Sequence, residues 1–171
     1  MTTFKEKLAE DKLFHKKMKQ ISNMKSKDES WVDELESLHA RRGIRALKTS
    51  AILQSSIKIS IDSNTDNQAV RSRCAEIKIS AMRQQIVIEE IITLLKKYLA
   101  TKYAKFLAKH YRNAPDRKAA IEFVLNPAIK MEDRLRLVLK IADVVIDDCD
   151  SAGYTLHRIG SALELKSKDR F

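Results

Sequence analysis

The sequence predicts an all-α protein: a long antiparallel, coiled-coil-like helical hairpin with shorter helices toward its N-terminal end. Three observations predict it. Only three Gly and two Pro punctuate 171 residues, too few for the tight turns a β-rich chain requires. Apolar residues recur at alternating three- and four-residue spacing over two long segments, the period of helices packed along a seam. Neither Gly nor Pro occurs between Asp66 and Ala114, so nothing interrupts a helix there.

Residues 1–29 read as a basic helix or arm: Thr2 or Thr3 can cap it, and Phe4, Leu8, Leu13 or Phe14, Met18 and Ile21 form a narrow apolar side. Residues 30–171 read as one elongated helical domain. Ser30 with Asp33 resembles a capping box ahead of Trp31, Leu35 and Leu38, so helices are expected over 30–62, with Gly43 a break and Trp31 a packing anchor. The run Ile57-Lys58-Ile59-Ser60-Ile61 alternates like a strand, but a single strand has no partner, and helix is preferred.

The first long helix is expected over 66–113, with Val70, Cys74, Ile77, Ala81, Gln84, Ile88, Ile91, Leu95 and Tyr98 on its seam. Gln84 is the one polar member. A short helix over 115–125, carrying Ala119, Ile121, Phe123, Val124 and Leu125, makes the corner. Asn126 before Pro127 then signals a new start, since Pro at a first helical position loses no needed donor. From there a second long helix, 127–166, carries Ala128, Met131, Leu135, Val138, Ala142, Val145, Cys149, Ala152, Leu156, Ile159 and Leu163 in unbroken 3-4 spacing. The seam of Leu135, Val138, Val145, Cys149, Leu156, Ile159 and Leu163 is expected to serve hairpin packing, subunit contact or both. Gly153 and Gly160 each cost ~1 kcal/mol inside a helix, so one of them is expected at a kink or a close backbone approach. Lys166, Lys168 and Arg170 suit the C-terminal dipole.

The net charge is +10 and the pI about 9.6. That balance favours nucleic acid or another polyanion over acidic protein surfaces or basic substrates. No apolar run approaches the ~20 residues of a membrane span, and Met1–Glu10 is charged where a signal peptide is apolar. A soluble, cytoplasmic protein without membrane contact is expected. Two cysteines at apolar helical positions, Cys74 and Cys149, suit buried thiols.

Catalytic chemistry has no local signature. His15, His39, His110 and His157 are scattered, and the cysteine spacing fits no zinc site. No phosphate-cradling loop, dinucleotide motif or serine elbow occurs. Asp143, Asp147, Asp148 and Asp150 have the ligand chemistry of a divalent-cation site, but three of them fall off the seam and read better as a solvated face or as partners of basic residues in a neighbouring subunit. No catalytic residue, metal or cofactor is expected.

Function points instead to Lys96–Lys118, where Lys96, Lys97, Lys102, Lys105, Lys109, Arg112, Arg117 and Lys118 face a single acid, Asp116, with Tyr98, Tyr103, Phe106 and Tyr111 interleaved. On a helix, Lys102, Lys105, Lys109 and Arg112 make one stripe, and Leu99, Tyr103, Phe106 and His110 the next. Cations track a phosphate backbone and surface rings stack on unpaired bases, so this segment is the candidate single-strand site. The competing reading is a solvated lysine face over an aromatic core.

The stretch Ala152-Gly153-Tyr154-Thr155-Leu156-His157-Arg158-Ile159, with its mostly apolar ending to Leu165, is similar to the C-terminal segment of the UvsY recombination mediators of large tailed phages. Lys105 through His110, Tyr111 and Asn113 resemble that family's basic helix running into an aromatic pair and a turn, and Val124-Leu125 match a Val-Leu before its last long helix. The resemblance covers residues 95–165. It departs at Leu107, where the family has a second basic residue that Lys109 would replace, and at a corner lacking the family's glycines. It implies a non-enzymatic protein that binds single-stranded DNA, forms a ring-like homo-oligomer, and helps a RecA-like recombinase displace the single-strand binding protein in recombination, replication or repair. It further implies that Lys102, Lys105, Lys109 and Arg112 hold phosphates and that Tyr111 stacks on a base. The alternative class is a structural or scaffold protein assembled through its long-helix seam without nucleic acid.

Overall fold

The computed structural model describes residues 3–24, 30–41 and 57–168. Among them six helices and no strand occur: α1 (Phe4–Leu8), α2 (Lys12–Ser22), α3 (30–41), α4 (Ile57–Lys102), α5 (Ala104–His110) and α6 (Ala114–Lys168). The all-α expectation and its two long packed helices hold. The alternating run from Ile57 is the first turn of α4. Gly43 and Arg170 lie outside the described residues.

The first long helix begins at Ile57 in place of the expected 66, and three further boundaries differ from expectation, each for a physical reason. The first long helix stops at Lys102 because Tyr103 leaves helical geometry, with φ −105° and ψ 17°, and the short α5 follows. The expected start at Asn126-Pro127 is absent: α6 is continuous, with Pro127 inside it. Ile121, Leu125, Ala128, Met131 and Leu135 are buried in unbroken phase on either side of the proline. Pro127 itself faces solvent, where water can satisfy the carbonyl its missing N–H leaves unbonded. The N-terminal segment is two helices. Thr3 caps α1 in a capping box with Glu6, and Asp11 caps α2 by accepting from Phe14 N–H at 3.0 Å.

The chain divides into two compact units. Unit 1 comprises Met1–Glu29 and Met82–Leu137; unit 2 comprises Ser30–Ala81 and Val138–Phe171. A division falls after residue 29, and the arm before it groups with the middle of the chain, where Phe4, Leu8 and Ile21 bury their side chains within unit 1. In each unit a stretch of α4 packs against a stretch of α6. Fully burying a Leu or Ile contributes ~1.5–3 kcal/mol, which outweighs the modest helix propensities of the Ile-rich α4.

Unit 2 buries Val70, Cys74, Ile77 and Ala81 of α4 against Val138, Ala142, Val145, Cys149 and Leu156 of α6, with Leu35 and Leu38 of α3. The two thiols form no disulfide, and burial pushes that of Cys74 up to about 11. Buried Asn67 donates its amide to the Cys149 carbonyl at 2.7 Å. Its nitrogen lies 3.5 Å from where a Cβ on Gly153 would stand, so Gly153 is the glycine at a close approach. The side chains of Leu135, Val138, Val145, Cys149 and Leu156 are thus engaged within the chain, and Ile159 and Leu163 are half-buried.

Candidate nucleic-acid interface

The basic segment lies wholly in unit 1, on the end of α4, on α5, and on the turn 111–113 into α6. The break at Tyr103 divides the expected stripe. Lys105 and Lys109 remain neighbours at i, i+4 on α5, Lys102 ends α4, and Arg112 stands in the turn. The turn is held by Asn113, whose side chain accepts from Asp116 N–H at 2.8 Å, and by Arg117, which donates to the Tyr111 and Arg112 carbonyls at 3.1 and 3.3 Å.

The nine expected contact residues therefore separate by environment. Lys97, Lys105, Lys109 and Arg112 are exposed, and among the described residues no carboxylate comes within ion-pair distance of them. Lys96 and Lys118 approach one carboxylate, Glu122, at 3.7 and 3.9 Å. Arg117 is committed to the turn, and Tyr111 is half-buried beside it. Lys96, Lys97, Arg117 and Lys118, with the carboxylate of Glu122 among them, rim an open groove of about 500 Å³ floored by Ala100, Ala104, Leu107, Ala114 and Ile121.

Lys102 departs furthest from its expected role as a free cation. Its Nζ lies 2.9 Å from Asp11 Oδ2 and donates to Tyr98 OH at 2.7 Å. Tyr103 OH donates to the same Oδ2 at 2.7 Å, and Tyr98 OH lies 3.2 and 3.1 Å from the two carboxylate oxygens. Burial of Asp11 acts to raise its pKa, but the bonds from Phe14 N–H, Tyr103, Lys102 and Tyr98 outweigh it and hold the carboxyl well below the usual range. The carboxylate in turn raises the pKa of Lys102, with Tyr98 the larger contributor, and burial and Asp11 raise that of Tyr103.

The interleaved aromatics are likewise engaged. Phe4 meets Tyr103 edge-on at 5.7 Å and stacks on Phe106 at 5.9 Å, and Phe106 stacks on His110 at 4.1 Å. Asp11 is the residue that the sequence reading missed. Its signal was an Asp just ahead of a helical stretch, but what it binds lies 87 to 92 residues away.

Charge divides as sharply as geometry. Unit 1 holds twenty Lys and Arg against eleven Asp and Glu, a net of +9; unit 2 holds thirteen against twelve, a net of +1. In unit 2, Asp143 pairs with Lys78 at 2.5 Å and Asp150 with Arg71 at 2.5 Å, and Asp148 meets the His39 ring at 3.3 Å. Among the described residues no group of three or more His, Cys, Asp or Glu is placed to hold a metal ion, and no helix is long and apolar enough to cross a membrane. Comparison with family models, with curated proteins and with solved structures finds no match for this chain.

Proposed function

We propose that unit 1 binds single-stranded nucleic acid, DNA foremost, and that the protein is a non-enzymatic accessory of recombination, replication or repair that assists recombinase loading. The observation that carries this reading is the placement of nine of the ten net positive charges on unit 1, with Lys97, Lys105, Lys109 and Arg112 exposed and free of carboxylate partners among the described residues. A cationic face of this kind gains affinity by releasing the counterions condensed on a phosphate backbone. The groove beside it offers an apolar floor to an unstacked base. The recombinase, the single-strand binding protein and a ring-like homo-oligomer enter through the UvsY resemblance. Repetition of the face around an assembly would raise the effective concentration of each further contact along one strand.

The test is a polarisation titration of labelled oligothymidylate at two salt concentrations. Affinity is expected to fall steeply as salt rises, with a log–log slope of about −0.7 per phosphate contact. Absence of binding at low salt overturns the proposal and leaves a helical structural protein.

A further inference from the structure

The segment Thr3–Ser22 brings two chemically distinct groups onto the basic region. One is an anion. Lys102 Nζ, Tyr103 OH and Tyr98 OH converge on a single oxygen, Asp11 Oδ2, at 2.9, 2.7 and 3.1 Å. A cation and two phenols aimed at one anionic oxygen form a receptor for any oxyanion, and a phosphate oxygen has the same charge and acceptor capacity. The other group is a flat ring. Phe4 lies on Phe106 at 5.9 Å with 24° between planes, and Phe106 on His110 at 4.1 Å with 23°, so the arm supplies the outer ring of a three-ring ladder.

We propose that Phe4 and Asp11 occupy a nucleotide site built by Tyr98, Lys102, Tyr103 and Phe106, with Asp11 in the place of a phosphate and Phe4 in the place of a base, so that the arm and a single strand compete for it. The inference rests on the proposed function and extends it, adding a second, self-occupied site to the open cations Lys97, Lys105, Lys109 and Arg112. The arm's composition suits such an exchange. Apart from Asp11 it carries six lysines against Glu6 and Glu10, so a displaced arm is attracted to the strand that replaces it. The one acid it buries is the one set on Lys102.

The test uses the full-length protein and two readouts. Hydrogen exchange of the wild type, with and without oligothymidylate, is expected to show faster exchange in residues 3–22 when the strand is bound. Asp11→Asn is expected to lose arm protection without the strand and to bind the oligonucleotide about tenfold more tightly, the gain that follows when a competent state of roughly one in ten becomes dominant. Strand binding that leaves exchange over 3–22 unchanged, or a freed arm with no gain in affinity, overturns the inference while the proposed function stands. No binding by either protein removes both. If Asp11→Asn does not fold, the wild-type exchange decides.

Discussion

In unit 2, Arg71, Arg73 and Lys78 of α4 each face a carboxylate: Asp150 at 2.5 Å, Glu34 at 2.6 Å and Asp143 at 2.5 Å. In unit 1 the same helix continues into Lys96, Lys97 and Lys102. Of these three, Lys102 is closely paired, with Asp11 at 2.9 Å, while Lys96 approaches Glu122 only at 3.7 Å and Lys97 meets no carboxylate among the described residues. Both units bury an aliphatic seam of the same spacing, so packing does not distinguish them. What distinguishes them is the disposal of charge. Unit 2 is neutralised from within, whereas unit 1 retains a surplus that only an external anion can answer, and the price is self-repulsion in the free protein.

Reversing charge in each unit is expected to have the largest effect. Lys105→Glu with Lys109→Glu is expected to lower oligonucleotide affinity about a hundredfold at low salt and to flatten the salt slope by about 1.4, two contacts' worth. Arg71→Glu with Arg73→Glu in unit 2 is expected to leave affinity within about twofold. It should lower the melting temperature only slightly, because exposed ion pairs contribute little to stability. Equal losses of affinity in both titrations would erase the distinction between the units.

A second contrast lies in the helix itself. Pro127 sits in the unit 1 portion of α6 on a solvent-facing position, so Pro127→Ala should restore a backbone donor and raise stability by about 1–3 kcal/mol in a denaturant titration. No change would mean that the proline ring's packing offsets its backbone defect.

Acid should separate the units by pH. Both Asp11 and Glu34 have carboxyl pKa values depressed in the folded state, so their stabilisation is present above the ordinary values of 3.8 and 4.5 and is lost as pH falls through the folded ones. Glu34 is partly exposed on Arg73, while Asp11 is buried among three side-chain donors. Amide exchange in α3 is therefore expected to accelerate first, below about pH 4.5, and in α1 and α2 only at lower pH. Simultaneous loss would show that the arm is no better held than an exposed ion pair.

The smallest effect is expected at Gly153. A Cβ there meets Asn67 Nδ2 at 3.5 Å, an ordinary contact, so Gly153→Ala should stabilise unit 2 by about 0.5–1 kcal/mol through helix propensity. A fall in melting temperature would mean that the close approach of α4 and α6 tolerates no methyl group.

The order of residues alone specifies that this chain is helical, which residues form the two seams, and that positive charge gathers over 96–118. Helical periodicity and composition are local properties and can be read from the order of residues alone. Tertiary structure decided where the helices stop and which charges are answered. Continuity through Pro127 follows from the burial of Leu125 and Ala128 on both sides of it, and the break at Tyr103 accompanies a phenol that reaches Asp11. Lys102 and Lys105 look alike in the sequence. One is paired and the other exposed because a carboxylate 91 residues from Lys102 folds back upon it, and such long-range pairing has no local signature.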